Sequence, residues 1–328
     1  METLSLTDEA FAQWIAEHNE RVGVRLKETL RTPYSFVEEV ATYLIDAGGK
    51  LFRPSLVFAA GGLGLESGSV DEEGLISAAV VVELTHVASL YHDDVMDEAA
   101  LRRGGPTAHR KWGNSVAIMV GDFMLAQASL VGAKLGEEFM TYQAKTLSRL
   151  VQGQIGEMKG PEPDVDDLTH HLAVVSNKTA ALIAAAARYG ATFAGLPGDQ
   201  VEALTQYGER LGMAFQLADD LLDILSDESG KQAGTDLREG VPTVATLLVQ
   251  RQQRDEDARL LELLARPVAE ADLPEALDLL RVHPAVAEAR AHVKRWADEA
   301  ATYLSGLDDG PAVRALRTLC EQAIVRSC

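Results

Sequence analysis

Cysteine is scarce in this sequence: of 328 residues, only Cys320 and Cys328 carry a thiol. Both lie near the C-terminus, where a disulfide would constrain little of the chain, and their spacing fits no metal-binding pattern. A disulfide framework and a cysteine metal site are therefore excluded, and a reducing, cytoplasmic setting is expected. Basic residues are also short, with 30 Lys and Arg against 50 Asp and Glu, a formal net charge of -20. No basic stripe is present to neutralise a phosphate backbone, which excludes nucleic acid as a partner; a small anionic substrate would need local cations or a metal. Positions 1–20 are acidic and lack the basic start and apolar stretch of a secretory leader. The most apolar stretches, 76–91 and 180–196, are interrupted by Glu83 and His86 and by Arg188. Neither reads as a membrane span, and a soluble chain is expected. Aromatics are only 5%, and the alternating apolar pattern of strands is almost missing.

What fills the sequence instead is Ala and Leu, with apolar residues recurring at steps of three and four, the helical period. The pattern predicts helices near 7–30, 35–47, 54–62, 74–98, 108–134, 136–155, 168–190, 198–226, 242–265, 285–306 and 312–326. The expected fold is all-α, a large helical bundle, and with no linker-like stretch to divide it the chain 1–328 is read as a single domain. Stretches 76–84 and 180–187 are apolar on more than one side, which places them in an inner layer. Glycine-rich breaks fall at Gly48-Gly49, 61–68, Gly104-Gly105-Pro106, 160–163 and 226–242.

Two acidic clusters stand out against this background. Asp93, Asp94 and Asp97 end a long apolar helix, the wrong end for carboxylates, because the helix macrodipole is negative there. Asp93 and Asp97 are four apart and share a face, so they can share a metal or bridge two. Asp219, Asp220 and Asp223 repeat the arrangement after Phe215-Gln216-Leu217-Ala218. A single Asp-Asp-x-x-Asp is weak, since a solvated acidic helix end has the same pattern. Two of them, each set in an apolar helix, outweigh that reading. Magnesium takes oxygen ligands from one or two carboxylates and completes its shell with water and phosphate oxygens, so such a pair suits a diphosphate.

Cations follow close by. Arg102-Arg103-Gly104-Gly105 comes directly after the first cluster, and Gly48-Gly49-Lys50-Leu51-Phe52-Arg53-Pro54 supplies two more positive charges on a glycine-hinged turn. Neighbouring arginines repel one another unless a phosphate or carboxylate lies beside them, and guanidinium grips phosphate oxygens in pairs. His86, by contrast, lies on an apolar helix face and by itself reads as a core histidine.

From about 47 to 326 the sequence resembles the trans-prenyl diphosphate synthases, also called polyprenyl synthetases. The resemblance rests, in order along the chain, on Gly48-Gly49-Lys50 with Arg53-Pro54, His86, the 93–104 block, Gly121-Asp122, Gln154 with Glu157, Lys178-Thr179, Phe215-Gln216 with Asp219, Asp220 and Asp223, and 231–236. It implies an antiparallel bundle around a deep cavity with the two aspartate clusters at its mouth, and a homodimer. It further implies three Mg²⁺ ions on Asp93, Asp97, Asp219 and Asp223, with Asp94 and Asp220 in support. Isopentenyl diphosphate would be held by Lys50, Arg53, His86 and Arg103, and an allylic diphosphate by Arg102, Lys178 and Lys231. Thr179 and Gln216 would stabilise the allylic cation, and the departing pyrophosphate would accept the proton. One departure is visible: where many members carry Gly-Lys-x-Thr after the second cluster, this sequence reads Gly240-Val241-Pro242-Thr243.

In the family, bulky residues shortly before the first cluster stop elongation. Ala88 and Ser89 are small here, so the tail should pass them; deeper stops are open at Thr85, Leu84 or Val81, and a floor at Thr85 or Leu84 would give the twenty-carbon product. The resemblance thus implies a product of six or more isoprene units, with a geranylgeranyl product as the alternative and with release involving transient membrane contact. A class I terpene cyclase or the regulatory subunit of a two-component synthase is the rival reading, opposed by the intact aspartates and by Lys50 and Arg53.

Overall fold

The structure, a computed structural model, describes residues 7–225 and 233–327. Nearly all of it is helical, as the period predicts: α1 (Asp8–Thr29), α2 (Ser35–Asp46), α3 (Phe52–Gly61), α4 (Glu72–Met96), α5 (Ala108–Trp112), α6 (Asn114–Gly132), α7 (Glu137–Lys159), α8 (Asp167–Val175), α9 (Ala181–Phe193) and α10 (Gly198–Leu225). After these come α11 (Thr235–Glu239), α12 (Val244–Gln252), α13 (Ala258–Leu264), α14 (Leu273–Arg281), α15 (Pro284–Thr302) and α16 (Pro311–Arg326). The chain divides into two compact units that interleave in sequence. The first is built from Met1–Leu147, Leu182–Thr205 and Leu307–Leu316, the second from Ser148–Ala181, Gln206–Gly306 and Arg317–Cys328.

The first unit is organised around α4. Asp71 caps its start, accepting from the Gly74 N–H at 3.0 Å, and α1, α3, α5 and α6 pack around it. Leu75, Ile76, Val80, Val81, Val82, Leu84 and Val87 are all buried. Each such side chain stabilises the fold by about 1.5–3 kcal/mol. A carboxylate at a helix C-terminus costs only about 0.3–1 kcal/mol, so burial along α4 readily carries the three aspartates at its end. Both α4 and the stretch Asn114–Leu135 are long and apolar enough to cross a membrane by length and composition alone. The apolar window of α4 is 78% buried, as a core helix is, whereas that of the second stretch is 33% buried and leaves Ile118, Met119 and Leu130 exposed. The second stretch lies outside the two that the sequence singles out.

In the second unit α12 packs on α15, α8 and α13, and α14 joins α13 to α15. Thr243 and Thr246 form a reciprocal capping box at the start of α12, Thr246 N–H to Thr243 Oγ1 at 3.3 Å and Thr243 N–H to Thr246 Oγ1 at 2.9 Å. The 240–243 departure from the family pattern therefore ends as a helix cap, preceded by Gly240 at φ +70 closing α11.

Several sequence expectations need correction. The helix expected over 108–134 is broken at Gly113, which sits at φ +87 between α5 and α6, and the one over 242–265 is broken at Gln253, φ 45. The helix over 168–190 contains a π-helical turn, Ser176–Ala180, in which the Ala181 N–H reaches back five residues to the Ser176 carbonyl. Two helices were not foreseen, α11 and α14. Nor was a hairpin: β1 (Leu101–Arg102) pairs antiparallel with β2 (Gly105–Pro106), the one sheet among the described residues. Its two-residue turn, Arg103 at φ 51 and Gly104 at φ 81, has the left-handed pair of a type I′ turn.

Candidate active site

In the first unit, α4 delivers the first carboxylate set in graded exposure. Asp94 is fully buried, Asp93 half-buried and Asp97, the C-cap, exposed. Arg102 at the foot of the hairpin turns back onto Asp94, its Nε 2.8 Å and Nη2 2.7 Å from Oδ1, while Oδ2 is buried without a partner. Burial pushes the Asp94 carboxyl up despite that guanidinium. Asp94 thus anchors the hairpin, while Asp93 and Asp97 lie nearer the surface on the same helix end. The repulsion expected between adjacent arginines is resolved in the same way: Arg102 takes a carboxylate and Arg103 donates to the Leu44 carbonyl.

Arg103 also meets the glycine-hinged turn. A Cβ added at Gly49 would lie 3.0 Å from its Nη2, so a larger residue there would need the guanidinium to shift slightly. Leu51, at the start of α3, holds the left-handed region at φ 45, a strained conformation for a leucine and one that tends to persist at functional sites. Lys50 in this turn is exposed. Burial holds the His86 imidazole well below its ordinary range, with Arg53, Arg103 and Arg102 adding to the effect. Burial and the neighbouring cations thus both disfavour protonation of His86. Burial also raises the Glu83 carboxyl, against the opposing pull of Arg53 and Arg103.

Below the carboxylates, Leu84, Thr85 and Ala88 are fully buried and Ser89 is half-buried. Thr85 belongs to a polar relay that its sequence gives no hint of. Gln143 Nε2 donates to Thr85 Oγ1 at 2.8 Å, and the Tyr189 hydroxyl donates to Gln143 Oε1 at 2.9 Å. The Tyr189 ring packs on Phe139 with centroids 4.2 Å apart.

In the second unit, α10 carries Gln216, Asp219, Asp220 and Asp223, and the π turn carries Lys178 and Thr179. Thr179 Oγ1 donates to Gln216 Oε1 at 3.0 Å, and Gln216 Nε2 donates to Asp220 Oδ1 at 2.9 Å. The two neutral groups expected to face a cation are thus bonded to each other, which fixes the amide orientation. Asp223 holds the start of α11, accepting the Asp236 N–H on Oδ2 at 3.0 Å and the Gly234 N–H on its carbonyl at 2.9 Å. Burial above all pushes Asp220 up to about 8, with Asp236, Asp219 and Asp223 adding to it against the Gln216 hydrogen bond. Asp236, raised by burial and by Asp223, rises to about 7. His171 Nε2 lies 3.8 Å from Asp220 Oδ2, but burial pulls the imidazole down to about 4, so the two meet as neutral groups and not as an ion pair. Lys231 lies outside the described residues.

A crowd of carboxylates that resists ionisation is the setting a divalent cation relieves. Among the described residues no three ligands are already gathered as a closed cage. Each set offers hard carboxylate oxygens, donors that fit a divalent cation.

Three groups were missed or set aside on sequence grounds. Glu157 accepts from Lys178 Nζ, Asp236 joins the second carboxylate set, and Arg149 binds the π turn. Glu157 and Asp236 lie inside the motif stretches and were signalled to that extent. Gln154, on α7 beside them, has both amide atoms buried without a partner.

Comparison with known proteins adds the following. The family model described as Polyprenyl synthetase matches residues 34–280. The nonaprenyl diphosphate synthase of Mycobacterium tuberculosis is 41% identical over 326 residues, covering 98% of this chain and 96% of that protein. A decaprenyl diphosphate synthase structure from Rhodobacter capsulatus is similar with a TM-score of 0.86 at 31% identity, covering 98% of this chain and all (100%) of that one. Geranylgeranyl pyrophosphate synthase from Corynebacterium glutamicum, complexed with calcium and isoprenyl diphosphate, is similar with a TM-score of 0.86 at 37% identity, covering 96% of each chain.

Proposed function

We infer that this chain, which belongs to the polyprenyl synthetase family, is a trans-prenyltransferase that condenses isopentenyl diphosphate head-to-tail with an allylic diphosphate (geranyl, farnesyl or geranylgeranyl). The products are a longer all-trans polyprenyl diphosphate and pyrophosphate. One observation carries the reading: both Asp-Asp-x-x-Asp sets are intact, on α4 and on α10, in a chain that also keeps the Lys50, Arg53 and Arg103 cations. A cyclase has no use for a second diphosphate site, and a regulatory subunit has no use for the carboxylates.

Asp93, Asp97, Asp219 and Asp223 would hold Mg²⁺, three ions when the allylic substrate is present. A cation held there would offset the charge of the diphosphate and so favour its departure as a leaving group. Lys50, Arg53 and Arg103 grip the diphosphate of isopentenyl diphosphate, with His86 beside them. Lys178, Arg102 and Lys231 serve the allylic diphosphate. Thr179 and Gln216 present oxygen dipoles to the allylic cation, and being uncharged they stabilise it without capturing it. The buried surroundings of Leu84, Thr85 and Ala88 exclude the water that would quench it. The double bond of isopentenyl diphosphate attacks the cation, and the proton then lost passes to the released pyrophosphate.

The similarity to the nonaprenyl and decaprenyl synthases supports a product of six or more isoprene units. The similarity to a geranylgeranyl synthase supports a second reading, a twenty-carbon product. The exposed apolar residues Ile118, Met119 and Leu130 of α6 support a homodimer, and a product far more apolar than its substrates supports release at a membrane surface. The test is incubation of the purified chain with farnesyl diphosphate, labelled isopentenyl diphosphate and Mg²⁺, followed by dephosphorylation and chromatography. A ladder of elongated alcohols is expected. Product formed without isopentenyl diphosphate would make the chain a cyclase, and no incorporation with any allylic primer would sink the reaction.

A further inference from the structure

We propose that Arg149 and Gly153 are positioning residues for the π-helical turn Ser176–Ala180 and so fix where Lys178 and Thr179 meet the allylic diphosphate. The inference rests on the roles given above to Lys178 and Thr179, and it adds the device that holds them in place.

Residues 149, 153 and 157 are spaced at four and lie in line on one face of α7. Each holds a successive part of the turn. Arg149 donates through Nε to Asn177 Oδ1 at 3.0 Å and through Nη2 to the Ser176 hydroxyl at 2.9 Å and the Ser176 carbonyl at 3.2 Å. Its other edge is locked by Glu209 on α10, at 3.0 Å from Nη1 and 2.6 Å from Nη2, and Ser176 Oγ donates to the same carboxylate at 2.6 Å. Gly153 admits the backbone itself: a Cβ there would stand 2.6 Å from the Lys178 nitrogen and 3.0 Å from the Asn177 carbonyl carbon. Glu157 completes the line by accepting from Lys178 Nζ. A fourth tie, His170 Nε2 to the Gly156 carbonyl at 3.0 Å, joins α7 to α8 just before the turn.

A π turn inside a helix is rare and is retained where its surroundings over-determine it, commonly at functional sites. Here the surroundings are specific. Lysine at 149 would keep the charge but lose the planar fork that bonds Asn177, Ser176 and Glu209 together. Alanine at 153 changes no polar contact, yet it must push the turn away by about 1 Å to reach ordinary van der Waals separation. Displacements of that size at groups aligned on a reacting substrate cost about 100-fold in rate.

The experiment is steady-state kinetics of the full chain carrying Arg149→Lys or Gly153→Ala, varying farnesyl diphosphate and isopentenyl diphosphate separately. We expect kcat to fall by about 10- to 100-fold and KM for farnesyl diphosphate to rise, with KM for isopentenyl diphosphate within about twofold of wild type. Far-UV circular dichroism should be unchanged. In a Lys178→Ala background the further loss from Arg149→Lys should shrink, because a group that it positions is gone. Variants that keep kcat and the farnesyl KM, or that move both KM values together, overturn the inference. If Arg149→Lys does not fold, Gly153→Ala decides it alone. A wild-type chain that turns over nothing overturns the reaction and the inference together, whereas an active wild type with indifferent variants overturns only the inference.

Discussion

Replacing Asp220 by Asn removes one titrating group from the most crowded part of the second carboxylate set while preserving the shape of the side chain. The Gln216 amide, which donates to Asp220 Oδ1 at 2.9 Å, still finds an oxygen there. In the metal-free protein the carboxyl is pushed from 3.8 up to about 8. The unfolded chain loses this proton near the lower value and the native state near the higher one, so between them the native state binds more protons. Stability therefore falls as pH rises through that window. One fully retained proton costs about 1.4 kcal/mol per pH unit, so from about pH 6 to about pH 8 this group alone removes about 2 kcal/mol from the wild type. The Asn variant is neutral in both states and lacks that loss. Asp236, raised to about 7, contributes to both proteins and cancels to first order in the difference.

The assay is urea unfolding at three pH values across that range, with a chelator present. The wild type should lose about 2 kcal/mol more than Asp220→Asn. Adding Mg²⁺ with pyrophosphate should reverse the order at the upper pH, because cations take ionised carboxylates and the wild type alone keeps the full set. Parallel pH dependences in the two proteins would refute the reasoning, since Asp220 would then be ionised in the metal-free fold.

Other perturbations read out the individual roles. Asp93→Ala or Asp219→Ala should lower turnover by several orders of magnitude with helicity intact, and near-normal activity would remove these carboxylates from metal binding. Arg103→Ala should raise KM for isopentenyl diphosphate by about tenfold or more and leave the allylic KM in place; the opposite split in the same kinetic runs would contradict its assignment. Ser89→Phe puts an aromatic ring one turn before Asp93 and should shorten the product, as chromatography of the dephosphorylated alcohols will show; an unchanged ladder would place the stop elsewhere. Met119→Glu on the exposed face of α6 should give monomers by light scattering if that face joins two copies, and an unaltered mass would exclude it as the interface.

How much of this could be read in advance depends on how local each signal is. The helices of the inner layer are legible because their apolar period is strong, and α4 ends within two residues of its expected boundary. The breaks at Gly113 and Gln253 are not legible. A single left-handed residue interrupts a helix without disturbing the apolar pattern on either side, and nothing about a glutamine announces φ 45. The hairpin is hidden for a related reason: its turn uses Arg103, not the Asn or Asp that ordinarily marks a type I′ turn. α14 carries an ordinary helical stripe, Leu273, Ala276, Leu277 and Leu280, but over nine residues the helical period repeats too few times to stand out.

The candidate site divides along the same line. The aspartates and their neighbouring cations are contiguous in sequence, so their chemistry can be read from it. What separates Asp94 from Asp93 and Asp97 is burial under Arg102, a fact of tertiary structure that adjacent letters do not carry. Glu157 drew attention through its motif, yet its partner Lys178 is 21 positions away, and Arg149 has no local signature at all. Gly153 is the intermediate case. A glycine inside a helix costs about 1 kcal/mol relative to alanine, and α7 carries that cost on the face that meets the π turn. Such a cost has a physical meaning when a neighbouring backbone comes too close for a methyl group. Here the neighbour is the Lys178 nitrogen, so a residue that is unfavourable for its helix is the one that lets α7 lie against the turn presenting Lys178 and Thr179.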